Sequence, residues 1–192
     1  SNENPIYAPG NVLAAHAAAT AVAVGSHPPA RSLRVLEVGA GCGSAAEALI
    51  ARLEPCIASY LLTDISPGFL RKARERLYAA APVAGIDLGF QCMDLNRPPE
   101  AWPTGTGRFD LVHAVNVLHA VHDLLPTLRG LRGLLAPGGA LVLGECVRPR
   151  RGHPVHPEFV FQLLDELRSV RLDPELRPEP GLGTRSASRP SP

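Results

Sequence analysis

The chain has 192 residues, 45% of them hydrophobic and 19% charged, which suits one globular domain with a substantial core. Its net charge of +1 gives no electrostatic footprint for nucleic acid or an anionic membrane. Cys42, Cys56, Cys92 and Cys146 form no CxxC pair and lie in or beside apolar runs, so they fit the reduced, mostly buried thiols of a cytoplasmic protein better than a disulfide framework or a zinc site.

Residues 1–30 read as an N-terminal segment with one helix. Asn11 is placed to cap that helix, which runs to about Gly25, where the glycine and then Pro28-Pro29 stop it. The apolar stretch from Val12 to Gly25 is too short and too alanine-rich to span a bilayer, and it lacks the basic leader of a signal peptide. Tyr7, just ahead, is positioned either to help close a ligand site or simply to pack.

From there strand and helix signals alternate through residues 31–171. LRVLEV (Leu33 to Val38) is a continuous apolar run of the kind a strand covered on both faces shows, and Ser44 to Leu53 is helical. SYLLTD (Ser59 to Asp64) is a second strand, and Ser66-Pro67 caps and opens the helix FLRKARERLYAA. Ile86 to Asp94 alternates with period two, Phe109 to Val115 is a fourth strand, and Ala140 to Cys146 is a fifth. Between the last two, HDLLPTLRGLRGLL makes a helix ending at a Pro137-Gly138-Gly139 turn. The last helix spans about Glu158 to Val170, and residues 172–192 form a Pro-, Arg- and Ser-rich tail expected to be disordered. This alternation implies a parallel sheet covered on both faces, with ligands bound beyond the carboxyl ends of the strands.

The first such end carries VLEVGAGCG (Val35 to Gly43), a G-x-G-x-G loop with an acid, Glu37, two residues ahead of it. Gly39 permits the tight turn, Gly41 allows a ligand close to the backbone, and Gly43 opens the next helix. A pyrophosphate would be repelled by Glu37, whereas S-adenosylmethionine, with a sulfonium, an ammonium and no phosphate, would not. The same two features, spacing and acid, disfavour a nicotinamide oxidoreductase. Asp64 ends the second strand about twenty residues beyond the loop, where a carboxylate can accept from both ribose hydroxyls.

On these residues the chain resembles the seven-strand S-adenosylmethionine-dependent methyltransferases over residues 33–147. The resemblance implies an α/β, Rossmann-like doubly wound fold, a mostly parallel sheet with helices on both faces. It also implies that Asp94 accepts from the adenine amino group, that Met93 and Leu95 sandwich the ring, and that Asn116 lies beside the methionine part of the cofactor. More specifically, TDISPGFL (Thr63 to Leu70), NVLHA (Asn116 to Ala120), LLAPGGALVL (Leu134 to Leu143) and Glu145 are similar to the methyltransferase domains of polyketide synthases. That likeness makes His119 and Glu145 a catalytic pair and an acyl carrier protein-bound intermediate the substrate, with neighbouring synthase domains as further partners. Physically, Glu145 can accept the Nδ1 proton of His119 and fix its tautomer, with Nε2 taking a proton from substrate.

The remaining histidines carry less chemistry. His113 reads as a satisfied core residue and His122 as a helix-entry residue, while His153 and His156 lie in a Pro-rich extended loop; no metal site is expected. The chain also departs from the family pattern. It shows five strands instead of seven, the carboxy-terminal ones missing, and its lid is reduced to the Asn11 helix, as in a piece of a longer synthase module. Strand five is then expected to expose an apolar edge, and cofactor binding to survive better than turnover. Methyl transfer to a carbon or hydroxyl oxygen is the first reading; the alternative is a degenerate, non-catalytic module kept for cofactor binding or scaffolding.

Overall fold

The computed structural model describes residues 7–25, 32–80, 83–104 and 108–145. The expected helix from Glu158 to Val170, the tail at 172–192, and Cys146, His153 and His156 lie outside these residues. In chain order the elements are α1 (Ala8–Gly25), β1 (Leu33–Val38), α2 (Ser44–Leu53), β2 (Ile57–Asp64), α3 (Pro67–Ala80), β3 (Asp87–Cys92), β4 (Phe109–Val115), α4 (Leu124–Gly133) and β5 (Leu135–Gly144). Single 3-10 turns occur at Glu54–Cys56, Pro99–Ala101 and Leu118–Ala120.

The strands form one parallel sheet in the order β3-β2-β1-β4-β5. The order reverses between β1 and β4, so the loops after these two strands diverge and leave a crevice at their carboxyl ends. Both faces are covered. Leu33, Val35, Tyr60, Leu62, Leu111 and Val142 pack against α1, α2 and α3 on one side. On the other, Leu36, Val38, Val112 and Ala114 pack with Trp102 and with Leu131 of α4. Each large side chain buried this way contributes about 1.5–3 kcal/mol, which explains why apolar residues dominate β1 and β4.

Four local expectations are corrected. The first helix begins at Ala8, ahead of Asn11, so Asn11 is a buried residue of its first turn, with its N–H donating to the Tyr7 carbonyl at 3.1 Å. Pro9, next to the start, suits that place because a first-turn proline loses no helical hydrogen bond. The Pro137-Gly138-Gly139 segment is not a turn before the fifth strand but a bulge inside it. Phe109 pairs with Leu135 and Leu111 with Ala140, so β5 loops out between them. Gly138 has φ +78°, and a Cβ on Gly139 would sit 2.9 Å from the Phe109 carbonyl oxygen, so the bulge demands glycine. Among the described residues the three thiols are free but not mostly buried: Cys42 and Cys56 are half-buried and Cys92 is exposed. Finally, His113 is fully buried, yet neither ring nitrogen has a hydrogen-bond partner, so it is not a satisfied core histidine.

Among the described residues β5 is an edge strand, and Leu143 on it is exposed. No helix among them is long and apolar enough to cross a membrane.

Candidate functional site

The glycine loop after β1 is stitched to the end of β2. The Ala40 N–H donates to the Thr63 carbonyl at 2.9 Å, and the Thr63 hydroxyl donates to the Glu37 carbonyl at 2.8 Å. Gly39 has φ +67°, and a Cβ there would collide with the Val117 side chain from the loop after β4. Gly41 has φ +53°, and a Cβ there would meet nothing within 4 Å. The first glycine is thus required by packing as well as by its turn, while the second leaves open space above the backbone. Gly43 caps α2 at φ +78°.

Asp64, only 7% exposed, closes β2 and anchors two loops at once. Its Oδ2 accepts from the Gly41 N–H at 2.9 Å and its Oδ1 from the Ser66 N–H at 2.8 Å. Each carboxylate oxygen accepts more than one hydrogen bond, so the group keeps capacity for a ligand's vicinal hydroxyls while its position is set by backbone donors. Beside it stands Ile65, 66% exposed. Sequence reasoning passed over Ile65, since a lone isoleucine between a strand-end acid and a helix cap belongs to no apolar period. A large apolar side chain held in water at a strand end is the signal that could have found it.

The loop after β3 begins with Met93, whose N–H donates to the Asp64 carbonyl at 3.0 Å. Met93 is buried in the cluster on the α4 side, and Leu95 packs half-buried against that cluster. Asp94 Oδ1 accepts from the Asn96 N–H at 2.9 Å, and Asn96 Oδ1 accepts from the His122 N–H at 2.8 Å. That pair of bonds ties the third-strand loop to the fourth-strand loop.

The fourth-strand loop is the most constrained. Asn116 adopts φ +53°, rare for a residue with a side chain, and its N–H donates to the Gly144 carbonyl at 2.7 Å. The chain then doubles back so that Glu145, just beyond β5, takes three donors. Its Oε1 accepts from the N–H groups of Val117 at 2.9 Å and Leu118 at 2.7 Å, and its Oε2 lies 2.8 Å from His119 Nδ1. Burial pushes the Glu145 carboxyl up, but the hydrogen bonds from His119 and the two backbone N–H groups, with the His119 charge, outweigh it and hold it below its ordinary value of 4.5. Glu145 therefore stays an anion, which makes Nδ1 of His119 the protonated nitrogen. The imidazole remains 34% exposed, within reach of a substrate.

Glu37 is placed differently from the expectation of an acid facing the ligand. It pairs in register with Leu62 and His113, and its side chain enters the core on the α1–α3 side, where it is 1% exposed. There it accepts a short hydrogen bond from the Tyr60 hydroxyl, and His113 Nδ1 stands 3.8 Å away. Burial first, and the Glu37 charge second, push the Tyr60 hydroxyl well above its ordinary value of 10.0, so it keeps its proton and donates it to Glu37. The acid lies under the loop, not beside it.

The structure thus brings Gly39, Gly41, Gly43, Asp64, Met93, Asp94, Leu95, Asn116, His119 and Glu145 to one end of the sheet, with Glu37 beneath. Among the described residues no group of three His, Cys, Asp or Glu is placed to hold a metal ion. A buried carboxylate held by backbone donors, open backbone at Gly41 and an exposed Ile65 fit a nucleoside. The buried acid below the loop suits positive charge better than phosphate.

Comparison with known proteins agrees with this geometry. Residues 36–141 match the family described as Methyltransferase domain. The highly reducing polyketide synthase easB of Emericella nidulans is 42% identical over 137 residues, which are 69% of this chain but 5% of that protein. The crystal structure of the CurJ carbon methyltransferase superposes with a TM-score of 0.64 at 37% identity, covering 78% of this chain and 37% of that one. The trans-methyltransferase CalH, in complex with SAH, gives 0.63 at 32% identity, covering 77% and 39%. The chain therefore spans a small part of these relatives.

Proposed function

The chain belongs to the methyltransferase domain family, and from that premise we propose that it methylates a carbon or hydroxyl oxygen of a polyketide-type acyl intermediate carried on an acyl carrier protein, with S-adenosylmethionine as methyl donor. Likeness to polyketide synthases, and to a carbon methyltransferase among the solved structures, supports this substrate class and supports carbon as acceptor. Neighbouring synthase domains are the expected partners.

When bound, the cofactor supplies an electrophilic methyl group on a sulfonium. The chain's own residues do the rest. Asp64 and the Gly41 backbone would hold the ribose, Asp94 with Met93 and Leu95 the adenine, and Asn116 the amino-acid part. His119 Nε2 takes the proton from a hydroxyl or an acidic α-carbon, and the resulting imidazolium is stabilised by Glu145 through Nδ1. A base held this way contributes about 10²–10⁴-fold.

The observation that carries this reading is the Glu145 carboxylate, locked by the N–H groups of Val117 and Leu118 on one oxygen and reaching His119 Nδ1 at 2.8 Å with the other. A histidine that only capped a turn would need no such anchored partner. The test is incubation with methyl-labelled S-adenosylmethionine and carrier-bound β-keto and β-hydroxy thioesters, followed by mass spectrometry of the acyl group. Label on the α-carbon of the β-keto substrate is the expected result. Cofactor binding with no label on any acyl chain would replace this reading with that of a non-catalytic, cofactor-binding module.

A further inference from the structure

The proposed base stands on a loop, and Glu145 accounts for only one flank of it. Ahead of His119, the Asn116 N–H donates to the Gly144 carbonyl, and Val117 and Leu118 donate to Glu145 Oε1. Past His119 the backbone bonds first stay inside the turn. The Ala120 N–H donates to the Val117 carbonyl at 3.1 Å and the Val121 N–H to the Leu118 carbonyl at 3.3 Å. The next N–H, that of His122, leaves the turn and donates to Asn96 Oδ1 at 2.8 Å, a bond that spans 26 residues of chain.

Asn96 is itself held in place by its own backbone. Its N–H donates to Asp94 Oδ1 at 2.9 Å, and the Arg97 N–H donates to the Asp94 carbonyl at 3.2 Å, so residues 94–97 form a turn closed twice. Ahead of that turn the Met93 N–H is bonded to the Asp64 carbonyl, and behind it the Arg97 carbonyl accepts from Nε1 of the buried Trp102 at 3.1 Å. The Asn96 side chain is exposed, where water would ordinarily satisfy it, yet its oxygen is committed to a backbone donor of another loop.

We propose that Asn96 is a positioning residue that ties the His119 loop to the loop for the adenine, so that a bound nucleoside steadies the base. This rests on the S-adenosylmethionine reading above, in which Asp94 accepts from the adenine amino group. Asp94 then faces both ways: Oδ1 fixes the Asn96 backbone, and Oδ2 is the oxygen that meets the purine. His122 follows His119 by three residues, so a shift at one is carried to the other. Glu145 sets the tautomer and tilt of the imidazole, whereas Asn96 sets where the loop that carries it stands relative to the cofactor. Proton transfer is steeply sensitive to that placement.

The first arm of the test is kinetic. Asn96→Ala removes the acceptor but keeps the backbone N–H that Asp94 uses, so the adenine loop retains its own turn. Single-turnover methyl transfer to the carrier-bound β-keto thioester is expected to slow about three- to tenfold, with affinity for S-adenosylmethionine by calorimetry changed less than about twofold. Asn96→Asp, which keeps an oxygen at the same place, is expected to restore most of the rate. A merely structural asparagine would lose rate and affinity together, or show no rescue by aspartate. Either result, or an unchanged rate in Asn96→Ala, overturns the proposal.

The second arm needs no turnover and reads amide hydrogen exchange by mass spectrometry. Without ligand, exchange at the His122 amide should quicken about three- to tenfold in Asn96→Ala and stay near the wild-type rate in Asn96→Asp. The ligand probe is adenosine, which has the ribose and adenine but no methionine part to reach Asn116. It is expected to slow exchange at both 93–97 and 120–123 in the wild type, and at 93–97 alone in Asn96→Ala. Equal slowing at 120–123 in the two proteins, or slowing at 93–97 alone in the wild type, counts against the bridge. A wild type that binds neither adenosine nor S-adenosylmethionine ends the cofactor reading. The unliganded comparison then still decides whether Asn96 holds the loop, and unchanged exchange at His122 refutes it.

Discussion

His119 and Asp64 are set by different neighbours, and this predicts opposite kinetic signatures. His119 is anchored through Glu145, and nothing in the Asp64–Gly41 contacts depends on it. His119→Ala is therefore expected to lower the rate of methyl transfer by about 10²–10⁴-fold while cofactor affinity, read by calorimetry, stays within a few-fold. Asp64→Ala should do the reverse, weakening the cofactor about tenfold or more through the lost ribose acceptor and the loosened loop. Loss of affinity and rate together in His119→Ala would mark the histidine as structural. Sequence alone located both residues at strand ends. It could not see that Glu145 also pins two backbone N–H groups, because those donors meet it only after β4 and β5 pair.

At the scale of elements, Arg34 and Asp110 join β1 and β4 just ahead of the point where their pairing begins. Asp110 Oδ2 accepts from the Arg34 N–H at 2.9 Å and from Nε at 3.1 Å, while Oδ1 accepts from Nη2 at 3.1 Å. Burial raises the Asp110 carboxyl, but the Arg34 hydrogen bonds and charge outweigh it and hold it below its ordinary value of 3.8. A carboxyl depressed in the native state adds stability that is complete above its unfolded-state value and is lost as pH falls through the native one. Because both side chains are partly exposed, the contribution is modest. Asp110→Asn is expected to cost about 1 kcal/mol at neutral pH by urea unfolding, a difference that shrinks as pH falls below the carboxyl's ordinary value of 3.8. A pH-independent difference would assign the loss to packing.

Gly130, within α4, tests packing directly. Glycine to alanine in a helix interior normally gains about 1 kcal/mol. Here a Cβ would fall 2.6 Å from Pro99 Cγ and 2.7 Å from Trp102 Cη2, rigid rings that cannot swing aside. Overpacking therefore wins, and Gly130→Ala should destabilise by about 1–3 kcal/mol in urea unfolding. A stabilised variant would mean that the 3-10 turn at Pro99–Ala101 yields easily.

For the whole molecule, one crevice gathers the loops after β1, β2, β3 and β4, so a ligand there should brace the fold. S-adenosylmethionine at about one hundred times its dissociation constant is expected to add about 2.7 kcal/mol, raising the melting temperature by about 5–10 °C for a domain of this size. An unchanged melting temperature at millimolar ligand would contradict the cofactor assignment.

Periodicity and strand-end chemistry, both local, were enough to determine the α/β class, the bounds of β1 and β4, the glycine loop, and the acids Asp64 and Asp94. A strand covered on both faces is mostly apolar, and a turn that binds a ligand is small and polar, whatever surrounds them. The bulge at Pro137–Gly139 and the early start of α1 were not legible, since each depends on a partner element: the register with β4 in one case and the course of the chain ahead of Asn11 in the other. Glu37 shows the division most clearly. Its sequence position marks an acid next to a glycine loop, but whether that acid faces ligand or core is decided by Tyr60 and His113, 23 residues ahead on β2 and in register on β4. Only the paired sheet brings those groups onto one face, because their register is fixed by hydrogen bonds between strands far apart in sequence.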